Sequence, residues 1–155
     1  MKKEILAVVG VGVLAIGYYS YKKYKVVKAI IQKLVVRPKD IKDVKLSLKK
    51  ISFTISLELI NNTHFDLGFT TGSIITLNNV KIYTPTGHLL ADIKTNVSSL
   101  EIPAYGSYTI TDLHVEMQTH SLLTQFDKMM EYIATNSLLY ELTIVAFGKE
   151  FSIAT

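Results

Sequence analysis

The chain contains no cysteine, which excludes a disulfide framework, a thiolate metal site, a cysteine nucleophile and any lipid attached through sulfur. It also lacks a Walker loop, an HExxH pair and a nucleophile elbow. Its closest glycine pair, Gly10-Val11-Gly12, lies inside an apolar run and not in a dinucleotide-binding loop. The four histidines, His64, His88, His114 and His120, fall in or beside predicted turns and strands, so a zinc site would need long-range assembly and is not expected. Asp112 and His114 are two apart, which on a strand gives them one face, but with no nucleophile beside them they read as a surface ion pair. The residues therefore nominate no catalytic group, no cofactor, no metal and no small-molecule substrate.

What is present is a strong charge asymmetry within a net charge of +4. Residues 1–50 hold twelve lysines and Arg37 against Glu4, Asp40 and Asp43, about +10, while the remainder holds four lysines against ten acids, about −6. A polycation joined to a mildly acidic globule implies contact with lipid headgroups, nucleic acid or an acidic partner. The 155 residues suffice for one domain with a proper core. A mean hydropathy of +0.27 is high for a soluble protein, and the excess sits at the N-terminus.

There, Ile5 to Tyr21 carries no charge. As a helix it is roughly 25 Å long, slightly short of the ~30 Å hydrocarbon core that its flanking lysines can reach by snorkelling. Ile5, Val9 and Val13 lie in the run. Tyr18, Tyr19, Tyr21, Lys22, Lys23, Lys25 and Lys28 follow it, the aromatics and cations expected where a helix leaves a bilayer. A cleavable signal peptide needs a small-x-small site, and bulky tyrosines and lysines stand there instead. The expectation is an uncleaved membrane or assembly anchor. The lysines after the run place that side in the cytoplasm, opposed by Lys2, Lys3 and the α-amino group.

From Tyr24 to Val36 the apolar residues Val27, Ile30, Ile31, Leu34 and Val35 recur at helical spacing, opposite Lys22, Lys25, Lys28 and Gln32. The apolar helix is expected to continue as a basic amphipathic one that Pro38 ends. Such a helix can lie on an anionic membrane, pack on the following domain, or form a ring of copies in a homo-oligomer. Residues 1–37 are thus read as helix and 38–155 as a β-domain.

Beyond Pro38 the period changes to two. Val44, Leu46 and Leu48 alternate with lysines and serine, and the parity flips at Lys49-Lys50, as at a bulge or tight turn. Ile51, Phe53, Ile55, Leu57 and Leu59 alternate with Ser52, Thr54, Ser56 and Glu58, a strand with one face on a core and one on water. After the Asn61-Asn62-Thr63-His64 turn the alternation resumes at Phe65, Leu67 and Phe69. Further strands centre on Ile75 and Leu77, on Val80 and Ile82, on Leu89 to Ile93 and on Tyr108 to Val115. Pro85-Thr86-Gly87 and Pro103 to Gly106 mark turns. One helix is expected from Leu122 through Phe126, Met129 and Met130 to Ile133, with Ser121 as its cap and Asn136 as its stop. A hairpin around Gly148-Lys149 closes the chain. Asn61-Asn62-Thr63 and Asn96-Val97-Ser98 also satisfy the glycosylation sequon.

The succession Leu59-Ile60-Asn61-Asn62, Phe65-Asp66-Leu67, Gly72 to Ile75, Asn79 to Ile82, Leu100 to Ala104, Tyr108-Thr109-Ile110 and Leu142 to Val145 resembles the late-embryogenesis-abundant type 2 family and its water-stress/hypersensitive-response (WHy) domain. It covers roughly Ile41 to Thr155. The family's Asn-Pro-Asn turn is replaced by Asn61-Asn62-Thr63. The resemblance implies an immunoglobulin- or fibronectin-like β-sandwich without a catalytic centre, behind a membrane segment, with protective, lipid-transfer or protein-interaction roles.

The expected function is a non-enzymatic, membrane-anchored binding or protection module whose partners are membrane lipids or proteins. The alternative is a structural subunit of a large assembly, such as a phage virion tail or ring component, with the helix as its assembly element. Nucleic acid is not an expected partner, because the tyrosines cluster at the end of an apolar helix, where an interface anchor accounts for them and the lysines together.

Overall fold

The alternating stretch found in the sequence forms the centre of a three-stranded antiparallel sheet. It is strand β2 (Lys50–Asn61), flanked by β1 (Leu34–Leu46) and β5 (Ser107–Gln118). The structure is a computed structural model that describes residues 21–68, 75–118 and 126–155. A second antiparallel sheet has the order β4-β3-β6-β7, built from β3 (Ile75–Tyr83), β4 (Leu89–Val97), β6 (Leu139–Ala146) and β7 (Lys149–Ala154). Helix α1 occupies residues 21–33 and helix α2 runs over Phe126–Ala134.

Ile51, Phe53, Ile55, Leu57 and Leu59 are fully buried. With Val80 and Ile82 of β3, Val115 and Met117 of β5, and Leu142 and Ile144 of β6 they form one core. The opposite face of β2 is drier than a strand meeting water. Ser52 and Ser56 are buried, because β2 is the middle strand and the register sets Ser52 between the long side chains of Lys45 and Glu116. The expectation of a half-buried strand thus holds for the apolar face and fails for the serines.

Bulges account for the parity changes. Asn78 is an extra residue against β6, where Leu77 and Asn79 pair with the adjacent Ile144 and Thr143, so Asn78-Asn79 continues β3 and does not start a new strand. In β5, Thr111 and Asp112 stand opposite Ser56, with Asp112 at φ 56°. The parity flip at Lys49-Lys50 is a tight turn. Ser47 N–H donates to Lys50 O at 3.0 Å, and its hydroxyl accepts from Lys50 N–H at 3.1 Å.

One boundary and one core assignment differ from the sequence reading. The amphipathic helix stops at Lys33, not at Pro38, because Leu34, Val35 and Val36 pair with Asn61, Ile60 and Leu59 and extend as strand. Pro38 lies within β1, an edge strand whose outer side needs no N–H donor. Phe65, expected on the core face, is exposed, whereas Leu67 is buried and bridges Ile102. Phe69 and the Gly72 turn lie outside the described residues, as do Ser121, Leu122 and Leu123.

Asn136 does stop α2. At φ 52° it donates N–H to Ile133 O, and Ser137 N–H reaches back to Tyr132 O, the paired bonds of a Schellman ending. The closing hairpin turns on Phe147 and Gly148, at φ 53° and 68°, the two left-handed residues of a type I′ turn.

Candidate interaction surface

The predicted anchor residues divide between the undescribed N-terminus and α1. Ile5, Val9, Val13, Tyr18 and Tyr19 lie outside the described residues. Among the described residues no helix is long and apolar enough to cross a membrane. On α1, Val27, Ile30 and Ile31 are buried in the core of the sheets. Tyr24 meets Phe147 edge-on at 6.0 Å between ring centroids and Phe151 at 6.2 Å, which seats α1 against the β6–β7 turn. Lys149 Nζ sits over the Tyr24 ring at 4.9 Å.

Lys22, Lys25, Lys28, Gln32 and Lys33 face solvent, Lys23 is half-buried, and Lys25 Nζ lies 4.7 Å over the ring of Tyr21, itself 56% exposed. Of the three arrangements open to an amphipathic helix, residues 21–33 thus adopt packing on the domain. Their apolar side is taken up by the core and their cationic side points outward. Pairing lysines with tyrosines was legible in the sequence; the seating of Tyr24 on Phe147 was not, since 123 residues separate them.

The cations continue along β1. Arg37, Lys39, Lys42 and Lys45 are exposed, with Asp40 and Asp43 among them, and Lys49 and Lys50 follow in the turn. Lysines, a proline and bulges on an edge strand also block pairing with another sheet. At the end of this strand Val44, Leu46 and Leu48, which alternate with lysines and serine, are 38%, 47% and 89% exposed. Leu46 pairs with the buried Ile51 yet lies at the last rung of the ladder.

The outer face of the four-stranded sheet carries a polar groove of about 420 Å³ lined by Asn78, Asn79, Lys81, Lys94, Thr95, Thr143 and Glu150. Asn79 Nδ2 donates to Asp92 Oδ1 at 2.9 Å, which fixes the amide, and its Oδ1 is buried without a hydrogen-bond partner. Alongside, the Tyr83 hydroxyl donates to Glu141 Oε2 at 2.8 Å, and that carboxylate holds the phenol above its ordinary pKa. Ammonium, amide and hydroxyl groups can bind polar ligands, but this set contains no nucleophile paired with a base.

The remaining sequence candidates separate. His114 lies 3.9 Å from Glu116 and not against Asp112, whose left-handed backbone at the bulge breaks the alternation that put the two on one face. His64 stacks on Phe65 at 3.9 Å, and the His88 N–H is held by Thr84. His120 is outside the described residues. No group of three metal-ligating side chains occurs among the described residues.

Asn61, the first sequon residue, is fully buried. Its Nδ2 donates to Phe65 O at 2.7 Å, Pro103 O at 3.1 Å and Ile102 O at 3.3 Å, and its Oδ1 accepts from Thr63 N–H and Oγ1. Such an amide is closed to glycosylation and ties two loops together. The side chain of Asn96, in the second sequon, is outside the description.

No family model and no curated protein matches this chain. Solved structures that it resembles include a protein from Archaeoglobus fulgidus, 11% identical over 78% of this chain and 89% of that one, with a TM-score of 0.40. An X-ray structure of a Northeast Structural Genomics Consortium target is 12% identical over 78% and 80%, with a TM-score of 0.42. A Bacteroides uniformis beta-glucuronidase is 17% identical over 79% of this chain but only 12% of its own, with a TM-score of 0.34. Likenesses of this size carry no functional argument.

Proposed function

We propose that this chain is a non-enzymatic β-sandwich module held at an anionic membrane surface by its N-terminal segment, where it binds or protects a lipid or protein partner. One observation carries the reading: α1 turns its lysines outward while its apolar side is locked into the core. An in-plane helix buries its apolar side in the bilayer, and here that side is occupied. The lysine face is left for headgroups, each cation contributing about 1 kcal/mol near an anionic surface. The uncharged run that ends at Tyr21 supplies the apolar contact. The seven strands among the described residues, arranged three and four, suit an immunoglobulin- or fibronectin-like module, and the likeness to late-embryogenesis-abundant type 2 domains points to the same class.

The test is flotation of the full chain with phosphatidylserine-containing vesicles at low and at 0.5 M salt. Flotation at both salts is the expected result, because a buried apolar segment resists screening. Recovery in the dense fraction as a large oligomer would favour the assembly-subunit alternative and sink the membrane reading. A chain starting at Arg37 is unsuitable as a control. It lacks Val27, Ile30, Ile31, Leu34 and Val36, five buried core residues.

A further inference from the structure

We propose that the tip of the β1–β2 hairpin is a second docking element, for the surface of an anionic bilayer. The tip is built rigidly, with Ser47 bonded to Lys50 through backbone and hydroxyl, so the intervening Leu48 is presented at a fixed place. Leu48 is 89% exposed, and Val44 and Leu46 beside it are 38% and 47% exposed. Lys42, Lys45 and Lys49 are interleaved with them along the chain and exposed, with Asp43 the acid among them, while Lys50 is paired with Glu116 at 3.1 Å.

Edge protection explains the lysines of β1 but not the leucine. Three apolar side chains gathered at one tip exceed the scattered single exposures normal on a protein surface. Apolar side chains interleaved with lysines at an exposed tip match a bilayer interface, where cations settle among anionic headgroups and the leucine enters the acyl boundary.

The tip also stands away from α1. Leu34, which follows the helix, pairs with Asn61, whereas Leu46 pairs with Ile51 at the other end of β2. Some ten residues at ~3.3 Å each separate these ends by roughly 35 Å. The two basic features are therefore separate contacts at the two ends of the cationic edge strand β1. The tip contact rests on the membrane reading proposed above and adds a second point of attachment to the same kind of surface.

The chain has no tryptophan, so Leu48→Trp in the full chain gives a single reporter. With phosphatidylserine vesicles its emission is expected to move to the blue and to be quenched by brominated acyl chains. Lys45→Glu with Lys49→Glu should weaken this response at least about 25-fold, from roughly five-fold per lysine removed. A reporter that stays solvent-like in anionic vesicles overturns the proposal. So does one already blue-shifted before lipid is added, which would mean that a second copy covers the tip. Flotation on neutral vesicles reads the N-terminal anchor separately, so failure of one contact is distinguishable from failure of the other.

Discussion

Replacing Asn61 by alanine tests how the loops at one end of the sandwich are held. The side chain is fully buried and makes two firm donations, to Phe65 O at 2.7 Å and Pro103 O at 3.1 Å, with a longer one to Ile102 O at 3.3 Å. It accepts two more bonds from Thr63, at 3.0 and 2.7 Å. Counting four good bonds at about 1 kcal/mol each predicts a loss of about 4 kcal/mol, before any penalty for carbonyls left dry. That is a large share of the roughly 5–15 kcal/mol typical of a domain. For a chain of this size it lowers Tm by roughly 8–16 °C. Urea unfolding followed by circular dichroism measures it, with the exposed neighbour Asn62→Ala as a control expected within about 0.5 kcal/mol. Asn61→Asp sharpens the test. A carboxylate facing carbonyl oxygens can hydrogen-bond to them only when protonated, so its folded pKa rises above the unfolded ~3.9. Its stability is then greatest below about pH 4 and is lost as pH rises through the folded pKa. An Asn61→Ala protein within about 1 kcal/mol of the parent would refute the reasoning.

Tyr140→Phe should be neutral or stabilising by up to about 1 kcal/mol, since the Tyr140 hydroxyl is buried without a partner; urea midpoints decide it. Burial raises that phenol's pKa. The unfolded chain therefore sheds the proton first, and stability should fall as pH rises above about 10, less steeply in Tyr140→Phe. Gly68→Ala should cost more than about 2 kcal/mol in the same assay. Gly68 has φ 108°, and an added Cβ would lie 2.5 Å from Leu100 O. Met129→Ala, deleting a buried contact of α2, should cost roughly 2–5 kcal/mol by thermal unfolding.

Local pattern determined much of this protein. The alternation from Ile51 to Leu59 announces a strand because side chains on a pleated strand change face at every residue. Asn136 announces a helix stop because its left-handed backbone suits few residues, and Gly148 marks the hairpin, whereas the left-handed Phe147 beside it is set by the β6–β7 pairing. The sequence also placed the positive charge in the first fifty residues and excluded thiol chemistry. Tertiary structure alone decided the rest. Leu34 and Val35 continue the helical spacing of Val27, Ile30 and Ile31 and read as helix, and only pairing with Leu59 to Asn61 makes Leu34 to Val36 a strand. The lysine-lined helix had three available partners until Val27, Ile30 and Ile31 found the core. Asn61 looked like a turn residue, and its role as a five-bond tie depends on Ile102 and Pro103, some forty residues away. Val44, Leu46 and Leu48 follow the same alternation as a core strand. Their exposure arises because β1 is the edge strand and Leu48 lies in the turn beyond it, while Ile51 and Phe53 opposite are covered on the central strand β2, a difference set by sheet order and invisible to any period along the chain.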